Sequence, residues 1–377
     1  MSNLEEVREG RVRLLVPRVG VPSKKSPVFY NPEMKFSRNI SVACLSVFAK
    51  ESAEVCDAMC ATGAAGIRYR VEAGCEVRLN DRNPEAVRLA VRNLELNGLP
   101  VRKSGRLWKG PGITVSNEDA NLLLNSESFS VVDLDPFGSP ANFLNAAAKS
   151  VLRRGMLCVT ATDTSVSTHP RSALKKYGIP SLKKGHEKPE YYPELGLRIV
   201  LSSIILSCAR YGKRFEPLLC FSKRHFFRFF GKISGAPSEI LKKFGYVSHC
   251  FSCGNRFVGP ESRCSCGSRT EITGPLYLGP TFDRDFSRKV AGKLKEAGFR
   301  EESAFVELVS KEVGVPLFYS LHELSSRIGR KSVSMEKMLQ ALEERGFRCS
   351  RTHASPVGFK TDASRKEVLD TFAAIGN

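Results

Sequence analysis

The stretch Val131-Val132-Asp133-Leu134-Asp135-Pro136-Phe137-Gly138 ends a mostly apolar run with an acid, a proline and an aromatic ring. Those residue types in that order suit a planar base carrying an exocyclic amine. Asp135 can accept a hydrogen bond from the amine, as can a backbone carbonyl fixed by Pro136, and Phe137 can stack on the ring. Such an amine is a poor nucleophile, because its lone pair is delocalised into the ring. Hydrogen bonds to its protons raise electron density on nitrogen, and near in-line placement against a methyl donor supplies much of the acceleration. Asp135 can also take the proton released by transfer. A base held this way is unpaired or flipped from its stack. The competing reading is that Asp-Pro only terminates a strand.

Asp57-Ala58-Met59-Cys60-Ala61-Thr62-Gly63-Ala64-Ala65-Gly66 sits where a strand gives way to a helix. Small residues there let a ligand approach the backbone closely. Gly63 and Gly66 are its two glycines, so this is not a dinucleotide fingerprint, and a nicotinamide cofactor would want a third. Asp81 ends the next strand, 15 residues after Gly66, where an acid can accept from both ribose hydroxyls of an adenosine. Asn117-Glu118-Asp119-Ala120 closes a third strand, from which a side chain can reach the adenine amine. Singly, each acid reads as well as a helix cap or a loop residue; taken in order, the set points to an adenosine cofactor. No Gly-x-x-x-x-Gly-Lys loop is present, which disfavours a nucleoside triphosphate. S-adenosylmethionine fits better.

Of the 12 cysteines, Cys250, Cys253, Cys264 and Cys266 fall within 17 residues. Cys-x-x-Cys followed by Cys-x-Cys matches a structural zinc site of four thiolates, although the second pair is one residue short of the usual ribbon. His249 is adjacent, but four cysteines complete the set without it. Four thiolates leave no open position, so the expected metal staples a small insertion and does no chemistry. The other eight cysteines are scattered, mostly among apolar neighbours, as reduced core thiols are.

These residues need elements to position them. Strand-like alternation over residues 11–17 precedes a helix over 38–50. Strands are expected over 54–59, 75–80, 112–116, 129–134 and 155–162, with helices from about 66 to 73, 83 to 96 and 140 to 150. Strands alternating with helices predict an α/β, Rossmann-like fold with a parallel sheet covered on both faces. A helix over 193–211 and a strand pair, or one bent strand, over 218–233 follow. In Lys223-Arg224-His225-Phe226-Phe227-Arg228-Phe229-Phe230 the favoured pattern is a core phenylalanine face and a solvated basic face, with RNA contact left open for the charges. Arg171, Lys175, Lys176, Lys183 and Lys184 are expected on a loop near the site mouth. Residues 317–360 read as helix, turn, helix and two short strands, a winged-helix-like order.

Lys plus Arg is 58 against 39 for Asp plus Glu, a net charge of +19. That excess favours a polyanionic partner, nucleic acid before membrane. No apolar run reaches the ~20 residues of a membrane-spanning helix. The polar, acidic start Met1-Ser2-Asn3-Leu4-Glu5-Glu6 is unlike a signal peptide, so a cytoplasmic protein is expected. No obligate protein partner is evident.

Together these blocks resemble the tRNA (guanine-N2)-dimethyltransferases that modify guanosine 26. The resemblance runs over nearly the whole chain. It rests on Phe29-Tyr30-Asn31-Pro32-Glu33-Met34-Lys35-Phe36-Ser37-Arg38-Asn39, on the stretch from Asp57 to Arg68, and on Asn80-Asp81-Arg82-Asn83-Pro84. It continues through Asp133-Leu134-Asp135-Pro136-Phe137-Gly138-Ser139-Pro140, Thr160-Ala161-Thr162-Asp163 and Tyr192-Pro193-Glu194-Leu195-Gly196-Leu197-Arg198. Amino-methyltransferases at large carry Asp/Asn-Pro-Pro-Tyr/Phe, and here one proline stands where those have two. The resemblance implies methyl transfer from S-adenosylmethionine to N2, with tRNA as substrate. It implies that Arg38 and Arg68 contact the cofactor, that Asp81 holds the ribose, that Asp119 and Ala120 frame the adenine, and that Asp135 is catalytic. The organisation expected is a methyltransferase domain over residues 1–240, a zinc-binding insertion over 241–275 and a tRNA-binding domain over 276–377. The rivals are an amino-methyltransferase acting on another RNA or DNA base, and a non-catalytic tRNA-binding protein.

Overall fold

The computed structural model describes residues 4–18, 28–49 and 53–375. The rest of the N-terminal lead-in, and Lys50 at the end of the expected first helix, lie outside the described residues. β1 (Leu4–Glu9) and β2 (Val12–Pro17) form a hairpin, followed by α1 (Lys35–Phe48). The chain then runs β3 (Glu54–Asp57), α2 (Ala64–Ala73), β4 (Glu76–Asn80), α3 (Pro84–Leu96), β5 (Arg102–Ser104), β6 (Leu107–Gly110) and β7 (Ile113–Ser116). It continues with α4 (Ala120–Ser126), β8 (Phe129–Leu134), α5 (Leu144–Ser150), β9 (Val151–Ala161), α6 (Pro170–Tyr177), α7 (Tyr192–Arg210), β10 (Arg214–Lys223) and β11 (Phe226–Ser234).

Nine strands make one sheet, ordered β10-β11-β9-β8-β3-β4-β7-β6-β5. The five expected strands are its parallel centre, β7-β4-β3-β8-β9, and the order reverses between β3 and β8. That reversal opens a crevice at the carboxyl ends of β3 and β8, where ligands bind in doubly wound sheets. The sheet is mixed rather than purely parallel: the β5–β6 hairpin extends one edge and β11 joins β9 antiparallel at the other. Neighbouring residues on the central strands face opposite layers, as a two-residue period requires. Val55, Val131 and Cys158 pack with α1, α2, α3 and two later helices, whereas Cys56, Val132 and Val159 pack with α4, α5 and α7.

Two expectations are corrected by the structure. Both faces of β11 are buried, so Arg228 is enclosed and not solvated: Phe226 and Phe230 share its layer, while Phe227 and Phe229 fill the other. Arg171, Lys175 and Lys176 lie on α6, not on a loop, because Pro170 opens the helix and Gly178, at φ +74°, closes it. Lys183 and Lys184 do follow in a loop. Helix α7, at 19 residues with mean hydropathy 1.3, is long and apolar enough to cross a membrane by length and composition alone, yet 72% of its apolar window is buried inside the protein.

After β11 come α8 (Ser238–Leu241), β12 (Phe244–His249), β13 (Arg256–Val258) and β14 (Glu271–Tyr277), whose strands form a small sheet ordered β13-β12-β14. Helices α9 (Arg284–Glu296) and α10 (Arg300–Ser310) fold back, and Val290, Leu294, Val306 and Val309 join the core layer that holds α1. The last elements are β15 (Tyr319–Ser320), α11 (Leu321–Ile328), α12 (Met335–Glu344), β16 (Cys349–Thr352), β17 (Ser355–Thr361) and α13 (Arg365–Ile375). They enclose a separate core around Leu324, Met338, Leu342, Phe359 and Phe372, in the expected order of two helices and a hairpin.

Candidate active site

A cleft of about 1440 Å³ opens at the crevice between β3 and β8. Its floor begins with Asp57, buried at the end of β3, whose Oδ2 accepts the Gly66 N–H at 3.0 Å and so ties the following turn to α2. A Cβ on Gly66 would stand 2.0 Å from Leu79 Cδ2, so glycine here lets α2 lie close to β4 without displacing the buried Leu79 side chain. Gly63, at φ +78°, shapes the turn in the left-handed region. It does not itself line the cleft, although Thr62, Ala64 and Ala65 do.

Asp81 closes β4 and clasps the same turn: Oδ2 accepts the Ala61 N–H at 2.9 Å and Oδ1 the Asn83 N–H at 2.8 Å. A carboxylate has about four lone-pair sites, so capacity remains for a ligand's hydroxyls. Burial raises the Asp81 carboxyl above its ordinary value, and the two backbone amides oppose this. Asp119 caps α4 by accepting the Asn121 N–H at 2.9 Å, and with Ala120 it lines the cleft.

Asp135, half-buried, and Pro136, buried, follow β8, and Phe137 stands exposed beyond them. Gly138 pins this corner to the end of β9. Its N–H donates to Thr162 Oγ1 at 2.8 Å, and its carbonyl accepts the Thr162 N–H at 2.9 Å. The Phe29 ring meets Phe137 edge-on at 5.3 Å, so two rings stand at the cleft beside Asp135. Burial pushes the Asp135 carboxyl up, and so does Asp133; Arg228, Arg38 and a hydrogen bond with Thr160 pull the other way. Asp57 rises further still, through burial and then its neighbours Asp133 and Asp135.

Sequence reasoning missed Arg228. Its Nη1 and Nη2 reach the two Asp133 oxygens at 2.8 and 3.0 Å, and Nη1 also donates to Thr160 Oγ1 at 2.7 Å. Arg228 thus ties Asp133 to Thr160 behind Asp135, and both Arg228 and Thr160 act to hold the Asp135 carboxyl down. Tyr69 also reaches Asp133, its hydroxyl on Oδ2 at 2.5 Å.

The two arginines carried over by resemblance part company. Arg38 lines the cleft, its Nε and Nη2 on the Glu9 carboxylate at 2.8 and 2.5 Å. Arg68 is wholly buried and does not line the cleft: it bonds Glu72 and Asn39, with Glu9 at 3.6 Å. Burial acts to raise Glu9, but Arg38, Tyr30 and Arg68 outweigh it and hold the carboxyl below its ordinary value. Glu9 is the residue that aims Arg38, and no spacing in the sequence announces it.

Away from the cleft, Cys250, Cys253, Cys264 and Cys266 bring their Sγ atoms within 4.8 Å of one another. The closest pairs lie 3.6 and 3.5 Å apart. Zinc–sulfur bonds of about 2.3 Å in a tetrahedron need sulfurs about 3.8 Å apart, so this group could hold zinc. His249 turns away, its Nδ1 on the Tyr191 hydroxyl at 3.0 Å.

Comparison with known proteins follows the same lines. Residues 10–373 match the model of a family described as N2,N2-dimethylguanosine tRNA methyltransferase. A protein of Methanopyrus kandleri named tRNA (guanine(26)-N(2))-dimethyltransferase is 38% identical, covering 97% of this chain and 95% of its own. One of the same name from Pyrococcus horikoshii is 35% identical over the full length of both. A solved structure of Trm1 from Pyrococcus horikoshii in complex with S-adenosyl-L-methionine superposes with a TM-score of 0.87, at 33% identity, over 98% of this chain and 99% of that one. With that match running from the hairpin before the cleft to the last helix, the chain belongs to the N2,N2-dimethylguanosine tRNA methyltransferase family.

Proposed function

We propose that this chain transfers one or two methyl groups from S-adenosylmethionine to the exocyclic N2 of a guanine in tRNA, at position 26 as in its named relatives, giving N2-methyl- and N2,N2-dimethylguanosine. The observation that carries this reading is the meeting, in one cleft, of Asp135-Pro136-Phe137 with the β3 turn. The residues present fit the methyl donor. Asp81 offers acceptors to a ribose, Asp119 and Ala120 frame a flat ring, and Arg38 suits a carboxylate. The crowded acids Asp57, Asp133 and Asp135, with raised carboxyls at Asp57 and Asp135, favour a cationic ligand. When bound, the donor supplies a methyl group on a positively charged sulfur.

The chain's own residues do the rest. Phe29 and Phe137 hold the unstacked base, and Asp135 with the Pro136 carbonyl accept from the amine protons, turning the nitrogen lone pair toward the methyl carbon. As the N–C bond forms and the C–S bond breaks, the Asp135 carboxylate receives the proton lost from N2. Residues 1–240 carry this chemistry, four thiolates within 241–275 hold zinc, and 276–377 grip tRNA through the two helices and hairpin of the final module. The test is incubation of unmodified tRNA transcript with labelled S-adenosylmethionine and mass analysis of the nucleosides. Label in N2-methylated guanosine is expected; label on a ring nitrogen or on adenine overturns the reading.

A further inference from the structure

At about 1440 Å³ the cleft exceeds the roughly 300–1,000 Å³ of a single small-molecule pocket. Its charge is layered. Asp57, Asp81, Asp119 and Asp135 lie on the floor, whereas exposed Lys35, Arg82, Lys176, Arg224 and Arg300 outnumber the exposed acids Glu33 and Glu301 on the rim. A polyanionic strand therefore meets attraction at the mouth and repulsion at the floor, so its backbone stays at the rim while one base enters.

One rim residue is singular. The β10–β11 register pairs Lys223 with Phe226, which leaves Arg224-His225 as a two-residue loop. Such loops are built from Asn, Asp or Gly, because they need left-handed backbone. Here Arg224 itself sits at φ +48°. Nothing in the loop's folding calls for arginine at a position glycine fills without strain, and strain of this kind gathers where a side chain is needed. Its guanidinium reaches across the mouth to Glu33, Nη1 to Oε2 at 3.2 Å, with both side chains about two-thirds exposed. An exposed pair of this kind is weak and exchangeable. Glu33 belongs to the segment that brings Phe29 against Phe137.

We infer that Arg224, on the tip of the β10–β11 hairpin, is the seat for a backbone phosphate of the RNA strand beside the methylated guanosine, and that Glu33 is the anion it holds until RNA arrives. The inference rests on the tRNA reading and adds to it a contact, a ligand atom class and an exchange. Phosphate oxygens replace the Glu33 carboxylate on Arg224, while Tyr30 on Glu9 and Asn31 on Arg38 keep the Phe29 segment beside the incoming base.

The experiment titrates unmodified tRNA transcript onto wild-type, Arg224→Gln, Arg224→Gly and Glu33→Gln proteins at several salt concentrations, with donor binding measured by calorimetry. Arg224→Gln is expected to weaken tRNA binding by about 3- to 10-fold and to flatten the log–log salt slope by about 0.7–0.9, the loss of one phosphate contact. Arg224→Gly, which relieves the left-handed strain, should bind tRNA as weakly while its Tm holds or rises. Glu33→Gln should tighten tRNA binding about 3-fold, because the competing anion is gone. Donor affinity should match wild type in all three. Unchanged affinity and slope in Arg224→Gln, or weaker binding in Glu33→Gln, would overturn the inference. Wild-type protein that methylates no guanine N2 while the Arg224 effects hold would instead unseat the functional reading and leave the phosphate seat standing.

Discussion

Asp135 has to be ionised to accept from an amine and to take its proton, and its surroundings work against that. Burial and Asp133 push its carboxyl above the ordinary value of 3.8; Arg228, Arg38 and Thr160 pull it back. An acid so raised stays protonated over a wider range at low pH. Methyl transfer should therefore fall off on the acid side above the usual aspartate range, with full activity at higher pH. Asp135→Asn removes the titrating group, and a loss of about 10²–10⁴-fold in single-turnover rate at saturating donor is expected. Arg228 acts on the reaction through Asp135 and Thr160 and is a positioning residue. Arg228→Met alone strands the buried Asp133 charge, at a cost of about 3–5 kcal/mol, so the informative variant pairs it with Asp133→Asn. Compared with Asp133→Asn alone, which lowers the Asp135 carboxyl by removing an acid neighbour, the double variant should carry the acid limb of the pH–rate profile back toward neutrality; a limb that the added Arg228→Met leaves in place would show that Arg228 only supports the fold. Asp81, Asp119 and Asp135 were legible in the sequence because each ends a strand or begins the helix after one. Arg228 was not, since a basic residue among phenylalanines reads as one polar face, and only a sheet buried on both sides encloses it. Glu9 meets Arg38 solely through tertiary packing of the β1–β2 hairpin.

At the scale of elements, long periodic segments declared themselves and short edge segments did not. The parallel strands and the helices after them follow from two- and 3.6-residue periods. β5 and β6 escape because Arg102–Ser104 is wholly exposed and shows no alternation, and α6 escapes because its basic residues mask a Pro-to-Gly helix of eight residues. The cysteine cluster was legible from spacing, but its mechanical role was not. Arg365 of α13 donates to the Cys253 carbonyl at 2.9 Å and Arg327 of α11 to the Ser252 carbonyl at 3.3 Å. Four thiolates around one zinc carry a net charge of about −2, which two guanidinium groups complement. The last module thus rests on the loop that the metal would fold. One zinc per chain is expected by elemental analysis. Chelation should lower the Tm by at least about 4 °C and open residues 250–266 and the final module to protease, with donor binding retained because the cleft lies on other elements. Protection unchanged after complete zinc removal would sink this account.

Among the described residues, two large layered cores lie on one sheet and another fills the final module, and a buried charge network fastens that module's core to the first two. Glu194 and Arg198 lie on α7, one turn apart, and Lys360 of β17 reaches Glu194 and Glu312, each at 3.2 Å. His353 donates Nδ1–H to Glu312 at 2.6 Å while its Nε2 accepts the Ser222 N–H of β10, so the tether crosses from the module to the main sheet. Burial would raise the Glu312 carboxyl; Lys360 and His353 outweigh it and bring it down to about 2 from an ordinary 4.5. An acid with a depressed folded value contributes stability that is fully present above 4.5 and is lost as pH falls toward 2. The network's failure should therefore precede that of the main sheet. Trp108 on β6 is the chain's one tryptophan and sits at the far edge of the sheet from β10, so its fluorescence reports the main sheet and not the module. As pH is lowered through this window, hydrogen exchange in residues 319–372 should accelerate before the Trp108 signal changes. Glu312→Gln should shift that loosening to neutral pH and destabilise the module by about 3 kcal/mol, because Lys360 is left buried beside a single acid. If the module is the tRNA grip, the same variant should bind the methyl donor as wild type does while its tRNA affinity falls. Exchange and Trp108 changes that coincide at every pH would instead make the molecule one cooperative unit, and the network a part of the common core.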